Sequence, residues 1–290
     1  MWLGAKRGYL SDWTTQQWVR GTGRRIEAGN FTWLDGPTGD TRSIGPLFFD
    51  RYAAQAGAEI LPGGPRGLVP DLTAVVGGPV NPAVAAFYER TSDYDMDCWS
   101  EWSPLFQPFG RLLRALFSGR LEQLNVPLTS LETHRGISSR VISIRTPQGD
   151  LQTAWVRQLL ASDRTVYAGS YSTCTVPGYG GQCIKVCFPL PNGRAIVIMR
   201  PQVHDDGSVT VISDGSQFGD PGFYFVVEQD GAAWARYVAA MKETIHVYEA
   251  EEDVVRADHE LRIWGRVFLR LHYRLRNKNA EKREQTVVQT

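Results

Sequence analysis

The side chains best able to move a proton lie in the stretch Lys242-Glu-Thr-Ile-His246-Val-Tyr248. Read as a strand, it puts His246 on one face with Thr244 and Tyr248, and Ile245 and Val247 on the other. If that hydroxyl-bearing face lines a cavity, His246 and Tyr248 form an acid–base pair suited to a mostly apolar substrate. His259 falls between Ala257 and Leu261 on an apolar face, so it is expected to be buried and to need a polar partner. His272 shares its face with Arg270 and Arg274 and is expected in solvent. Taken singly, each histidine is better explained by structure than by catalysis.

Further polar groups could orient or polarise a substrate. Asp97, Glu101 and Trp102 lie in the aromatic and acidic run Tyr94-Asp-Met-Asp-Cys-Trp-Ser-Glu-Trp102, and Arg200 ends an apolar strand. Tyr224 closes the stretch that begins Ser213-Asp-Gly-Ser-Gln-Phe-Gly-Asp220, whose small polar residues suit a loop at a barrel mouth. His204-Asp-Asp-Gly207 resembles a metal motif, but Asp-Asp-Gly is what a hairpin turn requires.

No H-E-x-x-H, G-x-S-x-G, phosphate loop or dinucleotide fingerprint occurs, which disfavours metalloprotease, hydrolase-fold, P-loop and Rossmann chemistry. The four cysteines, Cys98, Cys174, Cys183 and Cys187, form no C-x-x-C pair and read as buried thiols. We therefore expect no metal and no cofactor. Formal net charge is zero, with 31 basic and 31 acidic residues, which argues against a nucleic-acid partner. No run nears the ~18 apolar residues of a membrane span, and no secretory signal opens the sequence, so a cytoplasmic location is the default. Nothing opposes a homo-oligomer.

The elements that must hold these residues divide the chain. Residues 1–45 are an aromatic extension, with Trp2, Trp13, Trp18 and Trp33 expected to plug gaps over the core and Ser11 to cap a short helix. Residues 46–130 are mainly helical. One helix covers 46–56 and stops at Gly57, and Asn81-Pro82 starts another. An amphipathic helix is expected over 111–120, with Leu112, Leu113, Leu116 and Phe117 as its apolar stripe. The Gly- and Pro-rich loop 62–70 is the expected hinge.

From 131 to 276 the period changes to two. About ten consecutive strands are joined by short turns such as Pro191-Asn-Gly193 and Asp230-Gly231. The last pair, 254–276, has clear apolar and charged faces that meet at Gly265, read as a bulge or bend. The predicted fold is α+β: a helical N-terminal segment packed on a long antiparallel β-meander, curled into a barrel or half-barrel. Residues 277–290 form a polar tail.

Asp220-Pro-Gly-Phe-Tyr224, the 242–248 stretch, 264–273, Phe87-Tyr-Glu-Arg-Thr91 and Gln123-Leu-Asn-Val-Pro127 together resemble an uncharacterised bacterial family related to the C-terminal part of YndJ-type proteins. The resemblance spans roughly residues 44–276 and implies no activity. Function is therefore read from the residues: a hydrophobic small-molecule-binding protein, foremost a cofactor-independent cyclase or isomerase of a polyketide- or terpenoid-like substrate in an apolar cavity. The alternative is a non-catalytic carrier or sensor of an apolar ligand or lipid, associated with a membrane surface.

Overall fold

A computed structural model describes residues 1–278 apart from 28, 42–43, 65, 109–136, 148 and 161–164. The helix expected over 111–120 and most of the polar tail lie outside the described residues.

The chain is mostly β. Its strands are β1 (Arg24–Ile26), β2 (Glu59–Ile60), β3 (Tyr94–Trp102), β4 (Ile137–Arg145), β5 (Leu151–Leu159), β6 (Thr165–Val176), β7 (Tyr179–Leu190), β8 (Gly193–Val203), β9 (Val209–Ser213), β10 (Gly222–Gln229), β11 (Ala232–Tyr237), β12 (Met241–Glu251), β13 (Val254–Ile263) and β14 (Arg266–Asn277). Ten of them close into an antiparallel barrel in the order β8, β7, β6, β5, β4, β3, β14, β13, β12, β9 and back to β8. Closure pairs the strand edges around the ring except at one seam. The seam is between β3 and β4, which pair only at Met96 and Ile137.

Two features depart from a plain meander. Strand β3, whose alternation of Asp95 and Asp97 with Tyr94, Met96 and Cys98 suits a strand within the segment read as mainly helical, is a full barrel stave along β14, from Trp102 opposite Leu269 to Tyr94 opposite Asn277. Strand β8 also forks. Gly193–Ile198 pairs with β10, whereas Arg200–Val203 pairs with β9. A three-stranded annex, β10–β11–β1, leaves the ring at the fork. The β13–β14 connection is a two-residue hairpin rather than a bulge at Gly265. Trp264 and Gly265 both have positive φ, 50° and 75°, as such a turn demands.

Register decides which face looks inward. Val209, Val247, Ala257 and Tyr273 are successive partners across β9, β12, β13 and β14. All four belong to one apolar cluster with Trp155, Tyr167, Val186 and Val197 from the opposite staves. The lumen is thus the main core. Helices α3 (Leu72–Val76) and α4 (Pro82–Glu89) pack into the same cluster through Leu72, Val75, Val84, Phe87 and Tyr88. The Asn81 side chain caps α4, its Oδ1 accepting from Ala83 N at 2.8 Å, and Pro82 opens the first turn. The 62–70 loop is no free hinge at its end: Leu68 and Val69 are buried, and the Leu68 N–H donates to Tyr88 O at 2.6 Å.

On the outside, α2 (Phe48–Ala56), stopped by Gly57 at φ 64°, covers Ile142, Ile144, Ala154, Val156 and Ala168. Trp33 and Leu34 sit between the annex and Cys183, Cys187, Ile196 and Ile198. Of the four N-terminal tryptophans only Trp33 is buried in the core; Trp2 and Trp18 are each 41% exposed. Helix α1 (Leu10–Thr22) begins after Tyr9, so Ser11 lies inside its first turn and caps nothing.

Candidate functional site in the barrel lumen

Among apolar staves, the lumen holds a connected string of polar side chains. On β5 the alternation Thr153, Trp155, Arg157 faces inward, while Ala154 and Val156 meet α2 outside. Arg157 is 8% exposed, and its guanidinium carbon lies 4.2 Å from the Trp155 ring, 4.1 Å from Tyr167 and 5.6 Å from Tyr273. These distances suit cation–π attraction in a dry site. The Arg157 Nη1 donates to Met96 Sδ at 3.5 Å, a weak acceptor. The Tyr167 and Tyr171 hydroxyls bond each other, and the Trp155 Nε1 donates to Ser139 Oγ at 2.7 Å. Burial pushes the Tyr167, Tyr171 and Tyr273 hydroxyls above the usual phenol range, so all three stay protonated at neutral pH.

The string continues across β14 to β13. The His259 ring stacks on Tyr273 with centroids 6.4 Å apart, and its Nε2 meets Glu243 Oε2 at 3.3 Å. Both side chains are shielded, at 14% and 11% exposure. Glu243 lies diagonally across the β12–β13 ladder from His259, which pairs directly with Ile245. A shielded carboxylate beside an imidazole fixes the ring's orientation, as a general acid–base group requires.

The sequence-predicted residues are divided by this geometry. His259 and Trp102 are on the lumen face, Trp102 at the barrel end against Phe268, centroids 6.2 Å apart. The others are not. His246 and Tyr248 lie on the outer face because Ile245 and Val247, their strand neighbours, point into the lumen core. An apolar face turned to the core leaves the hydroxyl face to water, so the cavity condition set for this pair is not met. Outside, His246 Nδ1 meets Thr210 Oγ1 at 3.0 Å, and Thr210 also contacts His204 Nε2 at 2.7 Å. Tyr248 donates to Asp258 Oδ2 at 3.2 Å, and Asp258 Oδ1 bonds His272 Nδ1 at 2.6 Å.

Asp97 and Glu101 are also outside, Asp97 near Arg276 at 3.4 Å and Glu101 two-thirds exposed. Arg200 pairs with Asp214 on the surface. Tyr224 is wholly buried beneath the annex, where its hydroxyl accepts from Gly219 N at 3.0 Å and donates to Asp220 O at 2.5 Å. Ser216 and Gln217 backbone N–H groups bond the Asp220 carboxylate and hold its pKa below the usual range. The 213–224 stretch is thus a loop fastened on itself. The His204-Asp-Asp-Gly207 stretch is the hairpin turn expected, Gly207 N donating to His204 O at 2.9 Å.

Four lumen groups escaped the sequence reading: Arg157, Tyr167, Tyr171 and Glu243. Their signals were present. Arg157 interrupts the apolar run Thr-Ala-Trp-Val, and Tyr167 and Tyr171 flank Gly169 at the spacing of one strand face. One surface concavity, by Phe48 and Tyr52, lies outside the ring, and another lies along β4, lined by Ile60 and Arg140 and by the lumen-facing Val141 and Ser143. Among the described residues no group of three or more His, Cys, Asp or Glu side chains is arranged to hold a metal.

The comparisons agree with the resemblance noted in the sequence. The chain is similar to a Bacillus subtilis (strain 168) protein named "Uncharacterized membrane protein YndJ", at 24% identity over 246 residues. The match covers 82% of this chain and 42% of that protein, so the chain spans less than half the length of its relative. No protein-family model matches the chain. No solved structure matches it significantly. Among the described residues no helix is long and apolar enough to cross a membrane, which says nothing of strands.

Proposed function

We propose that the barrel binds an apolar or amphipathic small molecule in its lumen and acts on it as a cofactor-independent isomerase or cyclase. The observation that carries the reading is the inward convergence of His259, Glu243, Tyr171, Tyr273 and Arg157 among apolar staves. A purely apolar lining would suit a passive carrier. Here a carboxylate–imidazole pair could exchange the proton, while the tyrosines and Arg157 steady a polarised oxygen. The proton-transfer role passes from His246 and Tyr248 to His259 and Glu243. A polyketide- or terpenoid-like substrate remains the proposed class, since an aromatic lumen with a few polar groups suits one.

Entry past α3 and α4 would require them to move, since their apolar residues share the lumen core. The same packing favours the second reading, a carrier or sensor that opens to load its ligand. Association with a membrane surface is proposed from the apolar stripe of Leu112, Leu113, Leu116 and Phe117 in the sequence and from the relative's name.

Native mass spectrometry of freshly purified protein is the deciding measurement, with any retained small molecule then identified. With that molecule as substrate, His259→Ala should lower turnover by about 100- to 10,000-fold, and His246→Ala, on the outer face, should leave it unchanged. Unfolding must be followed in parallel, because removal of His259 strands Glu243 in the core. Loss of turnover in the His246 variant alone would return the site to the outer face.

A further inference from the structure

Arg157 has more charge than its surroundings answer. It is buried, makes no ion pair among the described residues, and its Nε has no hydrogen-bond partner. Among the described residues its hydrogen bond goes to the Met96 thioether, a weak acceptor. The aromatic rings of Trp155, Tyr167 and Tyr273 lower the energy of the cation but accept no hydrogen bond in the guanidinium plane. Buried guanidinium groups are normally matched by a carboxylate or phosphate because their donors form a fixed planar fork. His259 and Glu243, by contrast, answer each other.

We infer that Arg157 anchors a carboxylate on the lumen ligand, so that the ligand is an amphipathic organic acid with its tail among the apolar staves. This rests on the proposal that the lumen binds a small molecule, and it adds the ligand's head group. The carboxylate would take the in-plane Nε–H. The Tyr273 side chain lies beside the guanidinium, and its hydroxyl, which burial keeps protonated, supplies a second donor. A carboxylate is preferred to a phosphate monoester because its single negative charge matches the single buried Arg157 cation, whereas a phosphate monoester brings nearly two.

The test titrates the full chain with dodecanoate and, separately, with dodecanol, both below their aggregation concentrations and read by tryptophan fluorescence and thermal shift. Dodecanoate should bind at least tenfold more tightly than the alcohol at pH 8, and the preference should fade as the acid is protonated near pH 5. Arg157→Met should abolish the preference and leave dodecanol binding in place. If that variant does not fold, Arg157→Lys serves, with a weakened preference expected because the ammonium lacks the planar fork. Equal binding of acid and alcohol by the unaltered protein overturns the inference and leaves lumen binding standing, as does tight dodecanoate binding indifferent to either substitution. If neither amphiphile binds and the purified protein retains no small molecule, both ideas fall.

Discussion

The two halves of the barrel differ on the outside and agree on the inside. Staves β4 to β8 are covered by α2, Trp33 and the annex, and their outward residues include the apolar Ile142, Ala154, Ala168, Cys187 and Ile196. Staves β12, β13, β14 and β3 have an outer face of charged ladders, among them Arg262–Glu260–Arg270 and Asp97–Arg276. Inside, both halves contribute to a single core. A stave with one covered face shows period-two alternation, whereas a stave with two covered faces is apolar throughout. The barrel therefore joins two kinds of strand that share a lumen.

The largest test of this contrast compares two tryptophans. Trp33 in the covered half is buried against Phe218 and Tyr224, with centroids 5.5 and 5.1 Å away. Trp99 on the bare half is 45% exposed. Trp33→Ala should cost about 3–5 kcal/mol in urea unfolding, and Trp99→Ala no more than about 0.5 kcal/mol. Equal costs would mean that the second half is also covered.

The contrast explains what could be read in the sequence. The strand limits near 151–160, 193–201 and 254–264 were legible because turn residues punctuate them. So was barrel curling, from the number of consecutive strands. Faces were legible only in the bare half, where Val255, Ala257, His259 and Leu261 alternate with Arg256, Asp258, Glu260 and Arg262. His246 was harder to orient because a polar face can line either a wet cavity or the outside. The decision came from α3 and α4, which make the lumen a core, and neither helix shows in the alternation of β12. Arg157 was hidden for the related reason that both faces of β5 are buried. Strand β3 escaped as a barrel stave because its partner β14 lies far along the chain.

An intermediate effect concerns pH, and three of the four thiols belong to the covered half. Burial pushes the pKa of Cys183 up to about 12, and those of Cys174 and Cys187 to about 11; in the lumen Cys98 is also pushed to about 12. A thiol with a raised folded pKa stabilises fully below its unfolded value of 9.0. That contribution is lost as pH climbs from there toward 11–12, because the unfolded chain then releases protons the fold retains. Melting temperature should accordingly fall steadily above pH 9. At pH 8 a thiol reagent should modify the native protein far more slowly than the urea-unfolded chain. Rapid native modification of Cys183 or Cys187 would show that the annex does not seal the covered half.

The smallest effect is expected on the bare half, at Glu260, which bonds Arg262 Nε at 2.7 Å and Arg270 Nε at 3.0 Å. Partial burial alone would raise its carboxyl pKa, but the two arginines outweigh that and hold it below 4.5. Its contribution is therefore present above the unfolded value and lost as pH falls below it. Both arginine side chains are about half exposed, at 50% and 49%, so water and salt screen the attraction. Glu260→Gln should cost about 0–1 kcal/mol in low salt, and less in 1 M salt, where the Debye length is about 3 Å. The two urea curves should converge as salt is added. A cost of several kcal/mol that salt does not reduce would mean that this ladder is buried under something outside the described residues, and the distinction between covered and bare halves would have to be redrawn around it.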